Sequence, residues 1–266
     1  MDLPTIEAVV TARSRDDLRG MAQGDGIVAG GTWIFSEPQN HLTRLVDLTT
    51  MGWTPLTVTP GDAEGLEIAA TCTIEELISY QYPRDWVATA LFRQCAESLL
   101  ASFKVWKAAT VGGNICMGLP AGSMISLTAA LDATLLIWCP DGSERTSSVL
   151  DFVVGDNRTT LRSGEVLRSI HIPAAALRSR AVLRRISLAP LGRSGSLVIA
   201  RVTASGPQIC VSGATDRPYI VPASMSLYEA IPETAWYTDA HGTADWRRSV
   251  TALLVEESLA EIGSPT

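Results

Sequence analysis

The chain has 266 residues, of which 46% are apolar and 18% charged, with 28 acidic and 21 basic side chains for a formal net charge of −7. An average globular chain is roughly 25% charged. Intrinsic disorder, which needs low hydrophobicity and high net charge, is excluded, and a nucleic-acid binder is disfavoured because phosphate contacts require a basic face. So few charges on a chain long enough for one or two domains suggest that part of its surface is covered by another chain.

In chain order, residues 7–22 read as a helix: Ala8, Val9, Leu18 and Met21 are spaced among Arg13, Arg15, Asp16, Asp17 and Arg19, with Ser14 as an internal cap. Gly26 to Thr32 reads as a short strand running into a glycine turn, and Leu45–Leu48 and Leu66–Ala70 as further strands. Thr73, three residues before Glu76, has the form of a capping box. Residues 86–101 are expected to be helical, with Val87, Leu91, Cys95, Leu99 and Leu100 along one side. Thr110 to Met117 reads as strand–glycine–strand, Ser126 to Asp132 as a buried short helix, and Thr134 to Cys139 as an apolar strand ended by the turn 140–143. Val166 to Pro173 alternates as a strand, and Ala174 to Arg180 is the expected domain boundary. Strands at 181–189, 196–203 and 207–213 follow, then a proline-rich stretch. A last helix spans about 243–262, with Trp246, Val250, Leu253, Leu254 and Leu259 as its buried side.

The five cysteines, Cys72, Cys95, Cys116, Cys139 and Cys210, are widely and irregularly spaced, without a C-x-x-C. Their odd number and spacing argue for buried thiols over disulfides, and against an iron–sulfur or zinc site within this chain. The histidines His41, His171 and His241 are far apart, and no metal site is assigned to them. The acidic start, from Met1 to Glu7, lacks the features of a secretory leader. The most apolar stretch, Met124 to Cys139, is too short to span a bilayer and carries Asp132. A cytoplasmic chain with no membrane span is the expectation.

Two glycine pairs stand out, Val28-Ala29-Gly30-Gly31-Thr32-Trp33 and Ala109-Thr110-Val111-Gly112-Gly113-Asn114-Ile115. Consecutive glycines turn tightly and present bare N–H groups, which together form an anion-binding concavity. Two such turns beside Thr32, Thr110 and Asn114 are suited to clamp a pyrophosphate; the alternative is a pair of structural turns. Gly24 to Gly30 also fits a loose dinucleotide pattern, but a strand runs through it instead of ending before it, so a Rossmann site is rejected. No nucleophile elbow, phosphate-binding P-loop or H-E-x-x-H motif occurs.

Taken with Leu119-Pro120-Ala121-Gly122-Ser123 and with Gly164-Glu165-Val166-Leu167-Arg168-Ser169-Ile170-His171-Ile172-Pro173, the glycine motifs resemble the FAD-binding (medium) subunit of the molybdenum hydroxylases. That family includes xanthine dehydrogenase and aerobic carbon monoxide dehydrogenase. The likeness runs over nearly the whole chain, including Ile209 to Ala214 and a terminal helix with Arg247-Arg248.

The resemblance implies an α+β fold. A two-lobed FAD-binding module of the vanillyl-alcohol-oxidase (PCMH) type would occupy residues 1–173, with lobes of about 1–53 and 54–173, and a C-terminal α+β domain residues 181–266. It implies that Val28, Ala29, Gly30, Gly31, Thr32 and Trp33, with Thr110, Val111, Gly112, Gly113 and Asn114, hold the pyrophosphate and ribityl chain of FAD. Leu167 would lie near the isoalloxazine or adenine, and Arg184 near the flavin. Ser123 stands where the family often has Asp, so a hydroxyl would replace a carboxylate toward the ribose or adenine. Leu119 and Lys107 also depart from the family pattern, and the first turn lacks the histidine that some relatives bond to FAD, implying a non-covalent cofactor. The implied partners are a large molybdopterin subunit and a small [2Fe–2S] subunit, in a dimer of heterotrimers. This chain would relay electrons through FAD to an acceptor such as NAD or oxygen, with no catalytic residue of its own. A stand-alone flavin oxidase or reductase, or an FAD-free assembly protein, are the alternative readings.

Overall fold

The computed structural model describes residues 3–222 and 224–263; Met1 and Asp2 of the acidic start, Ala223, and residues 264–266 at the end of the implied C-terminal domain lie outside them. Strands β1 (Ala8–Thr11), β2 (Asp25–Val28) and β3 (Arg44–Asp47) form a parallel sheet in the order β1–β3–β2. The expected helix over 7–22 is therefore replaced by a strand and a short 3-10 turn at Arg15–Leu18. The β-branched pair Val9-Val10 favours extension. The Asp17 carboxylate then accepts the N–H groups of Arg13 (2.9 Å) and Ser14 (2.8 Å), which stops a longer helix from forming. Ser14 does act as a cap, but of that short turn.

Beyond this lobe, β4 (Leu56–Thr59), β5 (Gly65–Ala69), β6 (Thr134–Trp138), β7 (Glu144–Ser148) and β10 (Val166–Pro173) build an antiparallel sheet in the order β4–β5–β10–β6–β7, among the described residues. A short β8–β9 pair (Val153–Gly155, Arg158–Thr159) lies beside it. Helices α1 (Ile74–Ser79), α2 (Ala90–Ser98), α3 (Phe103–Trp106), α4 (Val111–Met117) and α5 (Ser123–Ala130) connect β5 to β6, and α6 (Val149–Phe152) connects β7 to β8. Thr73 caps α1 as its spacing requires: its Oγ1 accepts the Glu76 N–H at 3.1 Å, and Glu76 reaches back to the Thr73 N–H at 2.8 Å. The helix expected at 86–101 is shorter, with Leu91 and Cys95 buried but Val87 and Leu100 exposed.

After a turn of helix, α7 (Ala174–Leu177), the chain enters an antiparallel meander of β11 (Ala181–Ile186), β12 (Ser196–Thr203), β13 (Gly206–Ser212) and β14 (Tyr219–Pro222), followed by α8 (Leu227–Ala230) and α9 (Ala244–Gly263). Every residue of α5 is buried, because this helix sits between helices α2, α4 and α6 and strands β12 and β13 of the meander. The two parts share one core, in which Leu197, Ile199 and Cys210 join the cluster of Leu66, Ile68, Ile115 and Leu127. Polar ties cross the same seam, from Arg201 to the Ala130 carbonyl (2.7 Å) and between the hydroxyls of Ser126 and Ser212 (2.5 Å).

Helix α9 covers the other face of the meander, and its buried seam differs from the one expected. Arg247, Thr251, Leu254, Ser258 and Ile262 face inward, while Leu253 is half exposed. The hydroxyls of Thr251 and Ser258 return to carbonyls one turn back, at 2.6 Å each. Their small, internally satisfied side chains let the helix lie close on β12. Among the described residues no helix is long and apolar enough to cross a membrane.

Candidate functional site

The carboxyl ends of parallel strands are where open α/β sheets bind ligands. Here β2 ends at Val28 and the chain makes the first glycine turn, in which Gly31 has φ +71°, a conformation that favours glycine. Gly30 needs its missing side chain for another reason: a Cβ there would stand 1.7 Å from the Ala108 carbonyl oxygen. The two glycine segments are thus pressed together, backbone on backbone. Among the described residues, the N–H groups of Gly30, Gly31, Thr32 and Trp33 donate to no protein acceptor. The next turn closes with the Phe35 N–H on the Gly31 carbonyl (3.0 Å).

The second glycine pair differs from expectation. Thr110 to Met117 is not strand–glycine–strand; Thr110 is the N-cap of helix α4, its Oγ1 accepting the Gly113 N–H at 3.0 Å. The other N–H groups of this turn are also used internally, Val111 by the Cys72 carbonyl (2.9 Å), Gly112 by Ala70 (3.1 Å) and Asn114 by Thr110 (3.0 Å). This pair therefore presents no bare N–H groups. Its contribution is room: a Cβ on Gly112 would lie 2.6 Å from the Ala70 backbone, so glycine lets α4 sit against the end of β5. Asn114 Oδ1 accepts the Met124 N–H (3.1 Å), tying α4 to the start of α5.

Between the two turns opens a cleft of about 710 Å³, within the roughly 300–1,000 Å³ usual for small-molecule sites. Ala29, Gly30, Gly31, Thr32, Trp33, Thr110, Gly112, Gly113, Asn114 and Leu167 all line it. Its remaining walls are largely apolar, with Leu99, Leu100, Ala101 and Val105 on one side and Leu119, Leu161 and Val166 on another. In a chain of net charge −7, no Asp, Glu or Lys among the described residues lines this cleft; the cationic or titratable side chains there are Arg193, His41 and Cys116. Burial pushes the Cys116 thiol up to about 12, so it stays protonated and offers no nucleophile.

Four expected site residues are not among those lining the cleft. Val28 is the last residue of β2, with its carbonyl taken by the Leu48 N–H at 2.9 Å. Val111 points into the core. Ser123 is fully buried in the first turn of α5 and its hydroxyl finds no partner, so it does not replace the family carboxylate within the cleft. Arg184 stands on the face of β11 that also carries Val182, toward α9, where it pairs with Glu261 and with Glu257 at 3.9 Å. The alternation of a strand decides this, since residues two apart share a face.

Gln39, His41, Asn157 and Arg193 also line the cleft; no binding motif in the sequence points to them, and the N-x-T pattern of Asn157-Arg158-Thr159 is unrelated to a cleft. Arg193 lies in the loop between β11 and β12; its only local signal is an arginine within Gly192-Arg193-Ser194-Gly195.

The model of one protein family, described as the FAD binding domain in molybdopterin dehydrogenase, matches residues 7–175. A search of curated proteins returned no match. Among solved structures, a reconstituted CO dehydrogenase from Oligotropha carboxidovorans superposes with a TM-score of 0.81 at 20% identity, covering 98% of each chain. Quinoline 2-oxidoreductase from Pseudomonas putida 86 gives 0.79 at 19% identity, again over 98% of each. CO dehydrogenase from Hydrogenophaga pseudoflava gives 0.78 at 20% identity with the same coverage. The α+β architecture expected from the sequence is the fold of these proteins.

Proposed function

The chain belongs to the family of FAD-binding domains in molybdopterin dehydrogenases, and we propose that it is the FAD-carrying electron-relay subunit of a multi-subunit molybdenum-dependent hydroxylase or dehydrogenase. The observation that carries this reading is the cleft free of Asp, Glu and Lys, in which four unbonded N–H groups from Gly30 to Trp33 stand beside a second turn packed against them. Such N–H groups suit a diphosphate, and the apolar walls suit flat rings. Bound FAD supplies the redox chemistry, while the protein binds and orients it.

In this reading the N–H groups of residues 30–33 and the Thr32 hydroxyl hold the diphosphate. Thr110, Gly112, Gly113 and Asn114 form the opposite wall with no charge of their own. Leu167 packs against a ring. The first 173 residues make the FAD module and residues 181–266 the C-terminal domain, although the two share a core. A large molybdopterin subunit and a small [2Fe–2S] subunit supply the metal chemistry, in a dimer of heterotrimers. The acceptor is NAD, oxygen or a quinone-like carrier, and the complex is cytoplasmic. The CO dehydrogenase and quinoline 2-oxidoreductase names of the solved structures support an oxidoreductase assembly of this kind.

The experiment is purification of the chain, reconstitution with FAD, and co-expression with the genes that neighbour its own. A yellow protein that binds FAD non-covalently and co-purifies with an iron–sulfur and a molybdopterin chain is the expected result. A colourless protein that cannot be reconstituted refutes the cofactor. Turnover of a substrate by the isolated chain refutes the relay.

A further inference from the structure

Arg193 is the one cleft-lining residue, among those described, that comes from beyond position 167. The base of its loop is fixed: the Ser194 hydroxyl donates to the Ser98 carbonyl (3.3 Å) and the Gly195 N–H to the Ile186 carbonyl (2.8 Å). Ser98 begins the apolar wall of Leu99, Leu100 and Ala101, so Arg193 enters the cleft next to that wall.

The guanidinium itself is loosely placed. Among the described residues it donates no hydrogen bond, and its one ion pair is a 3.6 Å contact from Nη1 to Asp239 Oδ2. Asp239 is already committed elsewhere, because its Oδ1 accepts from Arg247, which is wholly buried. Arg247 also donates to the carbonyls of Gly195 (2.7 Å), Gly213 (2.6 Å) and Gly242 (3.2 Å) and lies over the Tyr237 ring. Burial works against the Asp239 charge. The His241 N–H and the two arginines outweigh it and hold the carboxyl below the usual carboxylate range. One carboxylate thus serves two guanidiniums, leaving the trio with a net charge of about +1 by this count of formal charges. Arg193 is its unsaturated member and the one that lines the cleft, with guanidinium N–H donors not taken up by a hydrogen bond among the described residues.

We propose that Arg193 is a positioning residue that sets the charge felt by the isoalloxazine ring against the Leu99–Ala101 wall and so favours its reduced form. The proposal rests on the FAD reading above. Two electrons and one proton convert the neutral oxidised ring into a reduced monoanion. The electrons come from the iron–sulfur partner in the assembly, or from dithionite in the experiment. A cation beside the ring stabilises the product of that step more than the reactant. It also links the cleft to the C-terminal domain, since Arg193 is aimed by Asp239, and Asp239 by Arg247.

The test compares full-length wild-type protein with Arg193→Gln and Arg193→Lys. FAD affinity is read by quenching of flavin fluorescence, and the midpoint potential by dithionite titration against redox dyes. Arg193→Gln should shift the two-electron equilibrium about tenfold toward the oxidised form, a potential lower by about 30 mV. It should bind oxidised FAD within about threefold of wild type, because an N–H donor that meets no charge contributes little. Arg193→Lys should recover most of the shift. An unchanged potential in Arg193→Gln overturns the proposal. So does a loss of FAD affinity without a change in potential, which would place the cation on the diphosphate. Failure of the wild type to bind FAD defeats the underlying reading and this inference together, and the wild-type titration identifies that case.

Discussion

Replacing Gly30 by alanine tests the closest contact in the site. The new Cβ would meet the Ala108 carbonyl oxygen at 1.7 Å, its carbon at 2.7 Å and Thr110 Cγ2 at 3.3 Å. A carbon does not approach a carbonyl oxygen within about 3 Å, so the two glycine segments must part by more than 1 Å. Neither can do so freely. The Ala108 N–H is bonded to the Val105 carbonyl (3.0 Å), and Thr110 is fixed as the cap of α4. Overpacking of this kind costs about 1–3 kcal/mol, which in a chain of this length lowers Tm by roughly 2–10 °C. Binding should suffer more than stability, because an opening of this size misaims all four N–H groups of residues 30–33. Losing two or more donors to a charged group corresponds to at least about a hundredfold in Kd. The assay is a fluorescence titration with FAD beside a thermal melt of the apoprotein. Gly263→Ala is a control for the exchange itself, since neither Gly30 nor Gly263 is left-handed and a Cβ at Gly263 meets nothing within 4 Å. A Gly30→Ala protein that melts like the wild type and binds FAD equally well refutes the reasoning.

Other outcomes follow from the same geometry. Arg247→Met removes the wholly buried guanidinium that Asp239 and the carbonyls of Gly195 and Gly213 share, so the chain should lose about 3–5 kcal/mol in urea unfolding. Glu165 is buried, and the hydrogen bond from Arg145 (2.6 Å) outweighs its burial and holds its carboxyl below the ordinary 4.5. Its contribution is therefore complete above about pH 4.5 and is lost as pH falls through the folded value, so Glu165→Gln should flatten the acid limb of a stability–pH curve. Arg184→Ala and Ser123→Ala should leave FAD affinity unchanged within about twofold, Arg184→Ala costing no more than ~1 kcal/mol of stability by loss of exposed ion pairs. A tenfold loss of affinity in either would return that residue to the site.

Much of the site was legible because its glycines are required by contacts that leave a mark in the sequence. Gly30-Gly31 and Gly112-Gly113 both border the cleft, and Thr110 beside the second pair is a functional cap. What misled was glycine's dual meaning. In Val111-Gly112-Gly113-Asn114-Ile115, two glycines between β-branched residues read as a break between strands, whereas packing against Ala70 overrides their poor helix propensity. Helix α9 misled in the opposite way, because its leucines suggested a wholly apolar seam, whereas Leu254 and Ile262 share the buried one with Arg247, Thr251 and Ser258. Arg184 stands away from the cleft because the face of β11 that turns toward α9 is fixed by pairing with β12, information that lies in no local pattern. Arg193, His41 and Gln39 sit in loops where polar residues are ordinary, and only the fold brings them together.

The absence of carboxylates from the cleft has a kinetic side. A net charge of −7 surrounds a cavity that is locally neutral to positive. A ligand carrying phosphate charge is repelled at long range and attracted only once inside. Screening over about 8 Å at physiological ionic strength shortens the repulsive approach but leaves the interior contacts nearly untouched. Capture therefore quickens as salt is added, while escape hardly changes. Such a cleft fills more slowly at low salt than a neutral molecule's would and holds its ligand by contacts that salt barely weakens, which suits a cofactor taken up once and kept through many cycles of oxidation and reduction.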